Sequence, residues 1–318
     1  MTVADPERLV RDSPCFVLIN AGSGKDDSDA TIETMRKVLR ERGQRHEFMR
    51  FDDAAKLRSL AEQKAQLARE RGGALVIVGG DGTINGALRA ALDHQCLFAV
   101  VPSGTFNYFG RAHGISEVPE EATRQFLDGR VRAARVALVG DRPFVVNASI
   151  GLYPELLEDR ERVKARLGRS RLVAFFAAIG TFLREHRQLA LEIERDGVNE
   201  RRRSSTLVVG NNELQMEQLG IDAGPGDGRL TAVSLAATGT LGTVGLLASA
   251  AWGRLGQAAS IDNFSFERLR VNPGLPYGRR RLKVAVDGEV FWQETPLDFR
   301  VAPRALRLLC EERGEPHP

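Results

Sequence analysis

Residues 74 to 92 read ALVIVGGDGTINGALRAAL. Ala74 to Val78 are apolar at every position, as in a strand buried on both faces. Gly79 and Gly80 then lead through Asp81, Gly82 and Thr83 into a stretch whose apolar residues recur at helical spacing. A buried strand running straight into a helix is half of a βαβ unit, and such units build a parallel sheet with covering helices. The same passage carries chemistry. Glycine lets the main chain approach a ligand closely, and the following helix offers unpaired N–H groups and the positive end of its dipole to a phosphate. Taken alone, the stretch also reads as a plain strand-to-helix turn with Asp81 as the cap.

On both sides of this stretch the alternation repeats. CFVLI (15–19) reads as a strand, NAGSGKDD (20–27) as a loop and residues 31–43 as a helix. HEFMRF (46–51) is a strand, 54–73 a helix closed by paired glycines, 84–94 a helix, LFAVVP (97–102) a strand, and EEATRQFLDGR (120–130) a helix. A three-layer α/β domain with a parallel sheet is therefore expected over residues 1–138. Beyond it, ARVALVG, PFVVNASIG, LALEIERDG, STLVVGNN, RLTAVSLA, FSFERLRVN, RLKVAVDG and LDFRVA are β-rich runs separated by turn residues. They predict an antiparallel, sandwich-like domain over 139–302, interrupted by helices at roughly 154–187 and 241–255.

The chain has 318 residues, enough for about two domains. With 42% hydrophobic and 27% charged residues, 32 Gly and 13 Pro, it cannot be wholly disordered, collagen-like or coiled-coil. Forty-five basic against 42 acidic residues leave +3, too mild a charge to demand nucleic acid, and none is predicted as a partner. The three Cys are widely spaced in apolar surroundings, which argues against disulfides or a zinc cluster and for a reducing compartment. MTVADPERLVRDSP lacks an apolar signal region, so a cytoplasmic location is expected. The uncharged interval between Arg229 and Arg254 is long enough to span a bilayer, but its glycines and threonines fit a strand followed by a helix more simply. The five His show no paired ligand spacing, so no transition metal is implied.

A second signal is AVVPSGTFNYFGRAHGI (99–115), again a strand running into a Gly-Thr turn, here Pro102 to Thr105, with Asn107 and Arg111 behind it. Two neighbouring parallel strands that each deliver such a turn form one crevice, the ligand position of open α/β sheets. Neither a P-loop nor a GxGxxG is present. A third signal is VAVDGEVF (284–291). Its Asp-Gly pair is a common tight hairpin, though Asp287 and Glu289 could also serve as base and metal partner. Basic clusters at 160–171, 201–203 and 279–283 are either solvated faces or a basic surface facing anionic lipid.

GGDGT at 79–83, the Pro-x-Gly-Thr-x-Asn turn at 102–107, FVVNASIG at 144–151, GPGDGRL at 224–230 and DGE at 287–289 occur in that order. Together they resemble the diacylglycerol kinase catalytic family, which includes bacterial lipid kinases and sphingosine kinases; the likeness runs from Asn20 to about Leu309. The resemblance implies an α/β nucleotide domain followed by a β-rich lipid-substrate domain, with ATP in the cleft and the final segment, 303–312, returning to the first domain. It assigns Gly79, Gly80, Asp81, Gly82, Thr83 and Asn85, with Gly104, Thr105 and Asn107, to the ATP phosphates. Glu289 would take the proton from the lipid hydroxyl with Asp287 beside it. Asp81 would be essential near the phosphates, and is the proposed base in the sphingosine kinases. Asp227, with main-chain carbonyls around Gly224 and Arg229, would hold a structural Mg2+.

Three positions depart from the family pattern. Tyr108 stands where many relatives have Asp, Gly86 where they often have Glu, and HEFMRFDDAAKL lacks a Thr found in the family. The implied function is an ATP-dependent lipid kinase, acting on a hydroxyl of diacylglycerol or a related lipid and touching the anionic inner membrane face. The alternatives are a nucleotide- or lipid-binding protein without turnover, to which Tyr108 and Gly86 point, and an NAD kinase, which shares the GGDGT loop but not the DGE hairpin.

Overall fold

The computed structural model describes residues 7–21, 25–151, 189–218, 228–235, 261–275 and 280–311. The chain divides into two units, one made of residues 1–136 with 302–318 and the other of residues 137–301.

In the first unit, β1 (Cys15–Asn20), β2 (His46–Phe51), β3 (Ala74–Gly79), β4 (Leu97–Pro102), β5 (Arg130–Ala134) and β18 (Leu306–Cys310) form one sheet in the order β2-β1-β3-β4-β18-β5. All its pairings are parallel except the one between β18 and the edge strand β5. β3 and β4 are buried along their whole length, which is why no polar residue interrupts them. Five helices accompany the sheet: α1 (Lys25–Glu41), α2 (Ala54–Glu70), α3 (Asp81–His94), α4 (Tyr108–Ala112) and α5 (Pro119–Asp128). The Asp53 carboxylate caps α2 by accepting the Lys56 N–H at 2.8 Å, and the helix buries Leu57, Ala61, Ala65 and Ala68.

Three boundaries differ from the sequence reading. α1 begins at Lys25, inside the predicted loop. α3 begins at Asp81 rather than Ile84, because the Ile84 N–H already bonds the Gly80 carbonyl at 3.0 Å. Residues 130–134 form a separate strand, since a Cβ at Gly129 would stand 2.5 Å from the Gln125 carbonyl and 2.6 Å from the Cys310 main chain, and α5 stops there.

Among the described residues, the second unit holds two six-stranded antiparallel sheets. The first contains β6 (Ala137–Val139), β7 (Arg142–Phe144), β9 (Leu189–Arg195), β10 (Val198–Ser204), β14 (Arg268–Pro273) and β17 (Leu297–Val301), ordered β10-β9-β14-β17-β6-β7. The second contains β8 (Asn147–Gly151), β11 (Thr206–Gly210), β12 (Leu230–Leu235), β13 (Ile261–Phe266), β15 (Arg281–Val286) and β16 (Glu289–Glu294), ordered β13-β12-β11-β8-β15-β16. Alternate residues of both sheets, among them Leu191, Ile193, Phe299, Ile150, Val209 and Val284, meet in one core, as a sandwich requires. Each open side is closed by a cation on a ring: Arg142 lies 3.5 Å from the Phe291 centroid, and Arg195 and Arg202 lie 5.0 and 4.8 Å from that of Phe264. One short helix, α6 (Glu213–Gln218), follows β11.

The predicted helices at 154–187 and 241–255 lie outside the described residues, as do Asp227 and Gly224. Among the described residues no helix is long and apolar enough to cross a membrane.

Candidate active site

The first unit brings its two glycine turns into contact. Gly80 and Gly104 meet main chain to main chain: a Cβ on Gly80 would lie 3.0 Å from the Gly104 Cα, and one on Gly104 2.6 Å from the Gly80 Cα. The Ser103 N–H bonds the Gly79 carbonyl at 3.1 Å, adding a rung beyond the strand ends. No side chain caps α3, because its N-cap residue is Gly80. The first-turn N–H groups therefore remain available to an anion held against the glycine pair.

Asp81 joins the turns chemically. Its Oδ2 accepts the Tyr108 N–H at 3.0 Å and its Oδ1 the Phe109 N–H at 2.9 Å, so a residue of the first turn caps the helix that follows the second. Asn107 takes the left-handed conformation at φ 48°, which Asn tolerates better than most residues. Its amide is spent inside the turn, accepting the Gly104 N–H at 2.8 Å and donating to the Gly104 carbonyl at 2.9 Å and Glu117 Oε1 at 3.1 Å. Asn107 is thus buried and shapes the turn, while Ser103, Gly104 and Thr105 are exposed. Gly82, Thr83 and Asn85 are half-buried on the first turns of α3. Gly86 has a packing reason: a Cβ there would stand 2.5 Å from Leu57 Cδ2 of α2. The Tyr108 ring stacks on exposed Phe106, with centroids 5.8 Å apart and planes within 9°.

In the second unit, Asp287 and Gly288 turn β15 into β16 with φ of 46° and 89°, the paired positive values of a two-residue type I′ hairpin. The Asp287 carboxylate reaches back to the segment entering β8. Its Oδ2 accepts the Val145 N–H at 2.9 Å, and its Oδ1 accepts the N–H groups of Val146 and Asn147 at 2.8 and 3.0 Å. The opposite side of that segment is held by residues the sequence reading did not single out. The Asn211 and Asn212 N–H groups bond the Val146 carbonyl at 2.9 and 3.2 Å, and Asn211 Nδ2 bonds the Val145 carbonyl at 3.2 Å. Asn147 Nδ2 donates to Gln215 Oε1 at 2.8 Å. The only sequence signal for this cluster is asparagine ending an otherwise apolar strand, in FVVN and VVGNN. Glu289, next after the hairpin, is exposed.

Arg229 lies elsewhere in the second unit. Its guanidinium bonds Asp196 Oδ2 at 2.7 Å and Glu267 Oε1 at 3.4 Å. Burial works against charge on Asp196, but the Arg268 and Glu267 N–H groups and the Arg229 guanidinium outweigh it and hold its carboxyl below the usual carboxylate range. Asp227 and Gly224, assigned to Mg2+ with Arg229, lie outside the described residues. Among the described residues no three His, Cys, Asp or Glu side chains gather closely enough to hold a metal ion. Burial pushes the Cys15 and Cys96 thiols up to about 12, so neither is a nucleophile.

This pairing of sheets and turns has counterparts. Residues 14–139 match the family model described as diacylglycerol kinase catalytic domain, and residues 159–310 the one described as YegS C-terminal NAD kinase beta sandwich-like domain. The chain thus resembles the diacylglycerol kinase catalytic family over its first part and the YegS C-terminal domain over its second. Among curated relatives, a Serratia proteamaculans protein named "Probable lipid kinase YegS-like" is 30% identical over 164 residues, 49% of this chain and 51% of that protein. The Bacillus subtilis "Diacylglycerol kinase" is 33% identical over 127 residues, 39% of this chain and 41% of the relative. The chain spans 60%, 51% and 54% of the length of the first curated relatives it matches. A crystal structure of a diacylglycerol kinase from Bacillus anthracis shares the fold, with a TM-score of 0.69 at 18% identity, over 95% of this chain and 98% of that one.

Proposed function

We propose that the protein is an ATP-dependent lipid kinase, with residues 1–138 and 303–312 as its nucleotide domain and 139–302 as its lipid-substrate domain. The observation that carries this reading is the Gly80–Gly104 contact, pinned by Asp81 to the N–H groups of Tyr108 and Phe109. Side chains are excluded from a spot where uncapped helix N–H groups end, which suits a phosphate anion. Gly79 to Thr83, Asn85, Gly104 and Thr105 hold the triphosphate, and Asn107 holds the turn. Exposed Glu289 accepts the proton of the lipid hydroxyl; the freed oxygen bonds to the γ-phosphorus as the bond to the bridging oxygen breaks and ADP leaves. Asp81 and Asp287 are positioning residues, because every carboxylate oxygen of both already accepts main-chain N–H groups. Asp227, with the main-chain carbonyls around Gly224 and Arg229, would hold a structural Mg2+, and a Mg2+ brought in with ATP would supply positive charge against the triphosphate. The acceptor is diacylglycerol or a related lipid, drawn from an anionic membrane surface.

Transfer of labelled phosphate from ATP to diacylglycerol, monoacylglycerol, phosphatidylglycerol or sphingoid bases tests the reading. Glu289→Gln is expected to bind ATP like the wild type but to lose at least about a hundredfold in labelling. Gly104→Ala is expected to lose ATP binding, because its Cβ would wedge the two turns apart. ATP binding without any labelled lipid would favour a binding protein that has lost turnover, and labelled NAD would favour an NAD kinase.

A further inference from the structure

We propose that the outward edge of the β15–β16 hairpin is the surface that seats this protein on an anionic bilayer, with Trp292 as its interfacial anchor. The inference rests on the lipid kinase reading, since it takes the acceptor from a membrane. Trp292 is 63% exposed, the highest among the large hydrophobic side chains of the described residues. It stands on β16, the outermost strand of its sheet. Strand alternation turns Phe291 inward, onto the core and under Arg142, and leaves Trp292 and Glu294 on the outer face.

The cross-strand partners on that outer face are basic. Lys283 pairs with Trp292 and places its Nζ 5.5 Å from the indole centroid. Arg281 pairs with Glu294 at 2.8 Å, and Arg280 is exposed where the strand begins. Two cations, Lys283 and Arg281, therefore share the outer face with one carboxylate and one exposed indole. An indole in water has an apolar ring with nothing to cover it. The headgroup layer covers such a ring and still solvates its N–H, which is why Trp gathers at membrane interfaces. The Lys283 Nζ sits over the ring, and its flexible stem lets the ammonium reach phosphate level while the ring enters the acyl boundary. Anionic headgroups complete the match by charge.

The position is also suited to the proposed reaction. Glu289 lies three residues along the same strand, on the order of 10 Å away. The hydroxyl of a diacylglycerol-type acceptor sits at headgroup level. Alternation puts Glu289 on the face opposite Trp292, so the anchor holds β16 close to the headgroup layer without placing the carboxylate in it.

The test is co-sedimentation of the full chain with phosphatidylcholine vesicles containing about a quarter phosphatidylglycerol, with thermal melting as a check on folding. Trp292→Ala is expected to weaken binding by about tenfold or more, Lys283→Gln by about fivefold, and Trp292→Phe far less. The fluorescence difference between wild type and Trp292→Phe isolates Trp292, and should shift to the blue and be quenched by brominated lipid. An unshifted, unquenched Trp292 overturns the proposal, as does a folded Trp292→Ala that binds vesicles like the wild type. Should Trp292→Ala fail to fold, the quenching and Lys283→Gln decide. If light scattering finds a dimer that Trp292→Ala splits without affecting vesicle binding, the surface belongs to a second copy and the proposal falls. A short-chain, water-soluble diacylglycerol should be phosphorylated equally by wild type and Trp292→Ala. If the wild type labels no lipid at all, the kinase reading fails while the vesicle result still stands.

Discussion

Asp81 and Asp287 work alike in different units: each carboxylate reaches out of its own turn to cap the N–H groups of a neighbouring segment. Asn at position 287 would keep one acceptor oxygen and set an amide NH2 against a main-chain N–H. Leaving such a group unpaired costs about 1–3 kcal/mol. Asp287→Asn is therefore expected to lower the melting temperature by about 2–8 °C, whereas Glu289→Gln, at an exposed position, should melt like the wild type and lose labelling instead. Melting curves beside the phosphate-transfer assay check this division of labour. It is reversed if Asp287→Asn melts normally, or if Glu289→Gln is the less stable of the two.

The hairpins show the same device as an element. Asp196 and Gly197 turn β9 into β10 with φ of 48° and 87°, and Asp196 Oδ1 caps the Glu267 and Arg268 N–H groups at 3.0 Å each. Because its folded-state carboxyl titrates below the unfolded value, the stabilisation is fully present above about pH 4 and lost as pH falls through the folded value. Glu200 on β10, held down first by the Arg202 hydrogen bond, behaves the same way. Urea midpoints for wild type and Asp196→Asn should differ near pH 7 and converge as pH falls through the lowered folded-state value. A gap that persists undiminished into acid would show that the charge is not what holds the hairpin. Not every element was legible beforehand. β1, β3 and β4 announce themselves through unbroken apolar runs, and the Asp-Gly pair of 287–288 by its turn chemistry. β10, VNERRRS, gives no apolar signal, because its inward residues close the sandwich by ion pairs, Arg195–Glu200 at 3.1 Å among them, and by Arg202 on Phe264. The close approach of the two glycine turns was readable, since a glycine's missing side chain is visible in a sequence. Asn147, Asn211, Asn212 and Glu117 were not, because their spacing records nothing of which main-chain groups they meet. Nor is an acceptor lipid, since the apolar surface that would receive acyl chains reads the same as core.

At the scale of the molecule, the chain leaves the first unit at Val136, builds the second, and returns at Ala302 to insert β18 between β4 and β5. Leu306, Leu308 and Leu309 of β18 are fully buried, and β5 is joined to the sheet only through that strand. Three buried leucines contribute about 5–9 kcal/mol, comparable to the whole stability of a domain. A chain ending at residue 305 is therefore expected to keep protected amides in 137–301 and lose them in the first unit, as hydrogen exchange would record. Undiminished protection of β3 and β4 would contradict this. Proteins emerge from the ribosome amino terminus first, and their domains ordinarily fold in that order. Here the strand that completes the first unit is translated after all of the second, so a nascent chain carries its glycine turns on an unfinished sheet until the end. The earliest-made part of the molecule is the last to mature, its glycine turns resting on a complete sheet only once elongation has passed Cys310.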